Sequence, residues 1–395
     1  MKFKILITFL ILFFTKNTLS KEAEKIVEKN ITLVVDNKKM NIDRARKYYK
    51  VPAVSIALIN KNKIEWTYAS GNKSASKNEK IDENTIFNFA SMAKSISALV
   101  ALKLVDKGVL KLDTDVNNEL LSWKISIPEK FKGNFVTLRS LLNMTSGLGV
   151  SGFYGYAPEE KTPTLLETLN GKFPANNNAV LLEKKPGSEF SYSGGGYEVL
   201  ELLIESVTKK SFREVAKNEV LQPLNLKNTS FSFSLEKNFN IAESTDKEGN
   251  SFSYPWRKSP ELAAAGLWTT PTDFAKVLIE LMRSYNNEKS LFSKSLTKEA
   301  FKKNKHTPYG FGFVLMGKDK NFHIMKLGQN AGYQGWFIAY PETGQGAVVI
   351  TNSDNGRELA QDIIYSLAKK YAWPTDGKLL DVWMLTQNLS KVSDN

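Results

Sequence analysis

Strand-like segments stand at both ends of this sequence with a long helical stretch between them, and that distribution restricts the fold more than any other feature. Near the N-terminus, "AVSIALINKNKIEWTYASG" reads as two strands joined by the polar turn Asn60 to Asn62. Near the C-terminus, "YGFGFVLMG", "FHIMKLG", "GYQGWFIAYP" and "GAVVITNS" are short, β-rich and separated by turn residues. A helix, "ELAQDIIYSLAKKYA", closes the chain. The economical arrangement is one antiparallel sheet built from both termini and flanked by helices. A mainly helical subdomain, roughly 110–258, is inserted into it. The expected class is α/β in the α+β sense.

Three helices between the strands carry clear signals. One runs from about Ser91 to Lys107 and is stopped by Gly108. A second spans about Gly195 to Thr208, with Val199, Leu200, Leu203, Ile204 and Val207 on its apolar side. The third begins at "TPTDFAKVLIELM", where Thr270 caps, Pro271 fits the first turn and Asp273 is expected to complete a capping box.

The first twenty residues stand apart from that fold. A basic start, "MKFK", an apolar run from Ile5 to Phe14 and a polar exit with Thr18 and Ser20 are the parts of a secretory signal peptide. The apolar run is about ten residues, where a membrane-spanning helix needs roughly 20. The expectation is a leader over 1–20, cleaved after Ser20, and one domain over 21–395, exported to the periplasm without stable membrane insertion. An uncleaved anchor is the alternative.

The chain contains no cysteine, which excludes a disulfide framework, a thiol nucleophile and a thiolate zinc site. The formal charge is +13, or +10 without Lys2, Lys4 and Lys16 of the leader. The lysines are scattered, often beside asparagine, and no arginine-rich arm or nucleic-acid motif occurs, so no nucleic-acid partner is expected. Neither of the two histidines, His306 and His323, belongs to a metal-binding pair, and no Gly-x-Ser-x-Gly elbow is present.

The stretch "FNFASMAKSISALV" places Ser91 and Lys94 at the head of a nearly all-apolar run. Three residues apart on a helix, the two side chains share a face. From Ile96 to Val105 only Ser97 and Lys103 are polar, so the helix is expected to be buried nearly all round. Burial disfavours the ammonium form of a lysine, and a lysine made partly neutral can take a proton from a neighbouring hydroxyl. The same spacing recurs at Ser74 and Lys77, Ser206 and Lys209, and Ser366 and Lys369, but on polar stretches. A capping serine with a lysine reaching solvent is the plainer alternative at Ser91.

Two further elements strengthen the catalytic reading. In "FSYSGGGYEVLELL", Tyr192 and Ser193 precede three glycines and a helix, so backbone crowding is least where the two side chains project. A tyrosine near a cationic lysine can share proton transfer. The other reading is a flexible turn with Tyr192 as a packing aromatic. In "MKLGQNAGYQGWFIAYP", Lys326 stands on a strand where it can hold an anionic group. Gly328 leaves room for a substrate, and the N–H of Gln329 can point at an oxyanion, with Asn330 beside it. An edge strand with its lysine turned outward is the alternative.

With these elements in this order, the chain resembles the serine β-lactamase and penicillin-binding-protein superfamily, and most nearly its class C β-lactamase-related branch. The segments "LRSLLNMTSGL", "PGSEFSYSGGGY", "AAAGLWTTPTDFA" and "AYPETGQGAVVITNSDNG" extend the likeness over nearly the whole mature chain. The resemblance implies an acyl-enzyme mechanism without metal or organic cofactor, acting on a small molecule or a cell-wall peptide. Ser91 would be the nucleophile and Lys94 its proton acceptor. Tyr192 would be the proton shuttle, and Lys326 would support substrate anions and the tyrosine. The N–H groups of Ser91 and Gln329 would form the oxyanion hole, with Gly328, Ser193 and Asn330 along the substrate. The chain departs from the family's Tyr-x-Asn at Gly194, from Lys-Thr-Gly at Leu327, and from a common histidine at Met144. Those departures bear on substrate selectivity. They also keep open a catalytically inactive relative that binds wall peptides or β-lactams without turnover.

Overall fold

A computed structural model of the protein describes residues 31–232 and 240–375. The expected leader therefore lies outside the described residues. The central sheet has six strands. They are β1 (Ala53–Asn60), β2 (Lys63–Gly71), β3 (Val314–Met316), β4 (His323–Asn330), β5 (Tyr333–Tyr340) and β6 (Gln345–Thr351). Their order is β2-β1-β6-β5-β4-β3 and every pair is antiparallel, so the N-terminal hairpin joins the C-terminal strands where β1 pairs with β6. The sheet expected from both termini is present. The β1–β2 connection is a two-residue turn in which Lys61 and Asn62 both have positive φ, the conformation that matches strand twist in a tight hairpin.

The four long helices are α1 (Ala93–Asp106), α2 (Gly194–Thr208), α3 (Pro271–Tyr285) and α4 (Gly356–Lys370), of which α3 and α4 flank the sheet. Neighbouring residues on a strand point to opposite faces, and β5 uses both. Trp336 packs on Tyr365 of α4, while Phe337 packs on Phe274 of α3. The sheet is thus the middle of three layers. The α1 helix is buried from Ala93 to Leu102, with only Lys103 and Val105 of its central residues partly exposed, as its composition predicts. It packs against α2 and the short helix Leu262–Ala265. Among the described residues, no helix is long and apolar enough to cross a membrane.

Two local expectations need correction. Only the end of "YGFGFVLMG" is a strand. Tyr309–Gly312 is a loop, because Gly310 passes against the Ala300 carbonyl and Gly312, at φ +81°, passes against α1, where a Cβ would fall 2.7 Å from Ala98 Cβ. At α3, Thr270 caps by accepting from the Asp273 N–H at 3.1 Å. The Asp273 carboxylate does not return that bond. It is taken by the Asn228 N–H at 2.8 Å, the Thr229 hydroxyl at 3.0 Å and the Lys276 ammonium at 2.7 Å.

Candidate active site

Ser91 lies where a strand becomes a helix. The two-residue strand Phe87–Asn88 pairs with Leu267–Thr269, the chain turns once through Ala90–Met92, and α1 follows. Ala90 holds φ at 48°, a left-handed conformation that costs an alanine roughly 1–2 kcal/mol. The surroundings fix it there. Asn88 Oδ1 accepts both the Ala90 N–H at 2.9 Å and the Asn330 amide at 2.7 Å, and the Phe89 N–H donates to Leu267 O at 2.9 Å. Strain held by its neighbours in this way is common at reactive positions.

The next residue, Met92, anchors the turn to the sheet. Gly328 of β4 and Gly335 of β5 lie opposite each other, and a Cβ on either would come within 3.2 Å of the Met92 side chain. The same Cβ on Gly328 would sit 2.5 Å from Phe89 O. The space on the Cβ side of Gly328 is therefore filled by protein. Its small size lets the nucleophile turn press onto the strand.

Four expected side chains come together here. The Lys94 ammonium donates to Ser91 Oγ at 3.2 Å and to Ala264 O at 2.8 Å, and Lys94 is 1% exposed. Lys94 Nζ and Lys326 Nζ lie 5.3 Å and 5.2 Å from the centre of the Tyr192 ring. Burial alone would raise the Tyr192 pKa. The positive charges of Lys326 and Lys94, with hydrogen bonds from Ser91 and Lys94, outweigh it and bring the phenol down to about 7. Burial pulls the Lys326 ammonium down to about 8, helped by the like charge of Lys94 and opposed by Tyr192. A phenol that titrates near neutrality beside a serine hydroxyl can exchange protons with it.

The remaining expected residues divide. Gln329 is exposed on the stretch of β4 beyond Met325, where no strand pairs on the β3 side. Asn330 reaches the nucleophile turn through its hydrogen bond to Asn88. Ser193 is corrected: it is buried as the cap of α2, accepting the Gly196 N–H at 2.8 Å and donating to Gly149 O at 2.8 Å, so its hydroxyl is committed to the fold. Leu327 stands across from Trp336 on the α4 face, the opposite face from Lys326. At Gly194, a Cβ would fall 3.0 Å from the Phe153 ring, so an aromatic edge lies beside that position. His323 is buried against Tyr340, with its Nδ1 bonded to Asn321 O at 2.8 Å.

Sequence reasoning missed several residues of the site. Tyr309 stacks on Phe190 and takes the Lys326 ammonium at 3.4 Å on its hydroxyl. Burial, with the charge of Tyr192, keeps its own pKa well above the usual tyrosine value. Tyr197 puts its ring 5.7 Å from Lys94 Nζ. Tyr309 sits in a glycine-aromatic run that mimics a strand, and nothing in that run signals a site.

Comparison with known proteins agrees with this geometry. The Beta-lactamase family profile matches residues 39–371. The chain belongs to the Beta-lactamase family. Protein flp of Staphylococcus aureus (strain N315) is 28% identical over 228 residues, which are 57% of this chain and 42% of that protein. The chain thus spans less than half the length of that curated relative. An octameric penicillin-binding protein homologue from Pyrococcus abyssi has a TM-score of 0.68 at 26% identity, covering 84% of this chain and 76% of its own. The D-amino acid amidase of Ochrobactrum anthropi SV3 shares the fold, with a TM-score of 0.66 at 22% identity, covering 84% of this chain and 94% of its own. Membership gives the chain the β-lactamase fold over residues 39–371.

Proposed function

We propose that the protein is an exported serine hydrolase that cleaves an amide or ester through an acyl-enzyme on Ser91. The observation that carries this reading is the contact of Ser91 Oγ with Lys94 Nζ at 3.2 Å beside a tyrosine poised near 7. Ser91 Oγ attacks the substrate carbonyl while Lys94, in its neutral amine form, accepts the Ser91 proton and becomes the ammonium. Tyr192 delivers a proton to the leaving amine or alcohol, and later helps activate the water that releases the acyl group. Lys326 keeps Tyr192 in its acidic range and holds a substrate anion. The backbone N–H groups of Ser91 and Gln329 stabilise the oxyanion.

Within this class, we favour simple esters and D-alanyl peptides of the cell wall over efficient β-lactam turnover. Phe153 lies beside Gly194, where relatives in the superfamily carry an asparagine amide, so this edge offers an apolar surface. The leader-like segment at 1–20 supports a periplasmic location. The test measures turnover of p-nitrophenyl acetate, a D-alanyl-D-alanine peptide and benzylpenicillin by the natural protein and Ser91→Ala. Cleavage of at least one of the first two that vanishes in Ser91→Ala supports the reading. Binding of these compounds without turnover, unchanged in Ser91→Ala, overturns it in favour of an inactive relative.

A further inference from the structure

Three glutamates are buried behind Lys94, and the proposed reaction uses none of them. Glu198 and Glu201 lie three residues apart on α2 and so share a face, while Glu261 precedes the short helix Leu262–Ala265. They are 1%, 4% and 0% exposed. Burying a carboxyl group is costly unless it makes good hydrogen bonds. Two of the three do. Glu201 Oε2 accepts the Ala263 N–H at 2.8 Å, and Glu198 Oε1 accepts the Ala264 N–H at 3.3 Å. Neither oxygen of Glu261 has a hydrogen-bond partner, and among the described residues no acidic group has the arrangement to hold a metal ion.

The same two residues point their carbonyls the other way, into α1. Ala264 O accepts the Lys94 ammonium at 2.8 Å, and Ala263 O accepts the Ser97 hydroxyl at 2.8 Å. A helix of four residues cannot fix itself, because its first N–H groups have no partner within it. Here α2 supplies the partners. Lys94 Nζ in turn bonds to Ala264 O and Ser91 Oγ, so the place of that carbonyl sets the place of the ammonium.

We propose that Glu198 and Glu201 are positioning residues for Lys94: by holding the N–H groups of Ala263 and Ala264 they fix the short helix Leu262–Ala265, whose Ala264 carbonyl takes the ammonium, and so keep Lys94 in reach of Ser91. This rests on the reading of Ser91 as the nucleophile. A carboxyl oxygen accepts an N–H whether or not the group carries a proton, so a glutamine carboxamide can replace it.

The test compares Glu198→Ala, Glu198→Gln, Glu201→Ala and Glu201→Gln. The readouts are the rate constant for fluorophosphonate labelling of Ser91, followed by intact mass, and kcat and KM for p-nitrophenyl acetate. The labelling rate constant does not depend on how much protein is folded. We expect the alanine variants to lose about tenfold or more in that constant and in kcat, with KM little changed, because misplacement of a catalytic group falls on the chemical step. We expect the glutamine variants to recover most of the rate. Alanine variants as fast as the natural protein, or glutamine variants as slow as alanine, overturn the proposal. Should the alanine variants not fold, the glutamine pair still decides it, since a loss of about tenfold there contradicts an acceptor role. A crystal structure of Glu198→Ala or of the glutamine pair provides a readout independent of activity. The alanine change should move Ala264 O beyond about 3.5 Å from Lys94 Nζ while glutamine preserves the contact, and the reverse pattern overturns the proposal. If the natural protein is never labelled, the hydrolase reading fails while these structures still decide the positioning role.

Discussion

Replacing Lys326 with methionine should push Tyr192 out of the neutral range. The Lys326 ammonium lies 5.2 Å from the centre of the Tyr192 ring and is the largest single influence lowering its pKa. Two unit charges about 5 Å apart at an effective dielectric of about 20 interact by about 3 kcal/mol. That corresponds to about 2 pKa units. Lys326→Met keeps an unbranched stem and removes the charge, so Tyr192 should move from about 7 up to about 9. The assay is ultraviolet titration of tyrosinate. The chain has 14 tyrosines, so the signal of Tyr192 is isolated by subtracting the titration of Tyr192→Phe. The natural protein should show a step near pH 7 that Tyr192→Phe lacks, and Lys326→Met should show it displaced upward. A step that stays near pH 7 in Lys326→Met would refute the argument that this charge sets the proton affinity of Tyr192. The alkaline-going rise of the hydrolysis rate should shift with the step.

Other perturbations test the packing and the buried charges. Gly328→Ala forces a Cβ against Phe89 O and the Met92 side chain; overpacking of this kind costs typically about 1–3 kcal/mol, so urea unfolding should show that loss together with slower Ser91 labelling. Asn88→Ala strands the Ala90 N–H and the Asn330 amide, and leaving buried polar groups unpaired costs about 1–3 kcal/mol each; a calorimetric melting temperature equal to that of the natural protein would contradict this. Burial raises Glu201 and Glu261 to about 8 from the ordinary glutamate value of 4.5, so between those pH values the folded protein binds more protons than the unfolded chain. Their contribution to stability is complete below the unfolded pKa and is lost as pH rises through the folded one. Urea unfolding across that window should therefore show a decline that Glu201→Gln and Glu261→Gln flatten.

What could be read in the sequence followed from patterns with one physical meaning. The strands at both ends have the composition of half-buried or buried ladders, and they pair as expected in one antiparallel sheet. Ser91 and Lys94 stood out because a lysine in an apolar run has few reasons to be there. Tyr192 and Lys326 were found because glycines and a strand edge marked their surroundings. The misreadings have physical causes too. "YGFGFVLMG" alternates like a strand, yet its glycines serve close passage past Ala300 O and α1, which brings Tyr309 to Lys326. Ser193 looked available for substrate because its cap partner, the Gly196 N–H, is a backbone group that composition does not reveal. Glu198 and Glu201 fell on the side of α2 that helical periodicity assigns to solvent. That side is buried because Leu262–Ala265, distant in sequence, docks on it. Contacts set by tertiary docking are the part that local pattern cannot carry.

The central claim is that Ser91 is a nucleophile activated by the groups around it. Its most direct test is the intact mass of the protein after exposure to a fluorophosphonate, measured beside Ser91→Ala, with the labelled peptide sequenced. A single adduct on Ser91, absent from Ser91→Ala and formed more slowly in Lys94→Met and Tyr192→Phe, is the predicted result. No adduct on the folded natural protein, or an adduct that persists in Ser91→Ala, would contradict it.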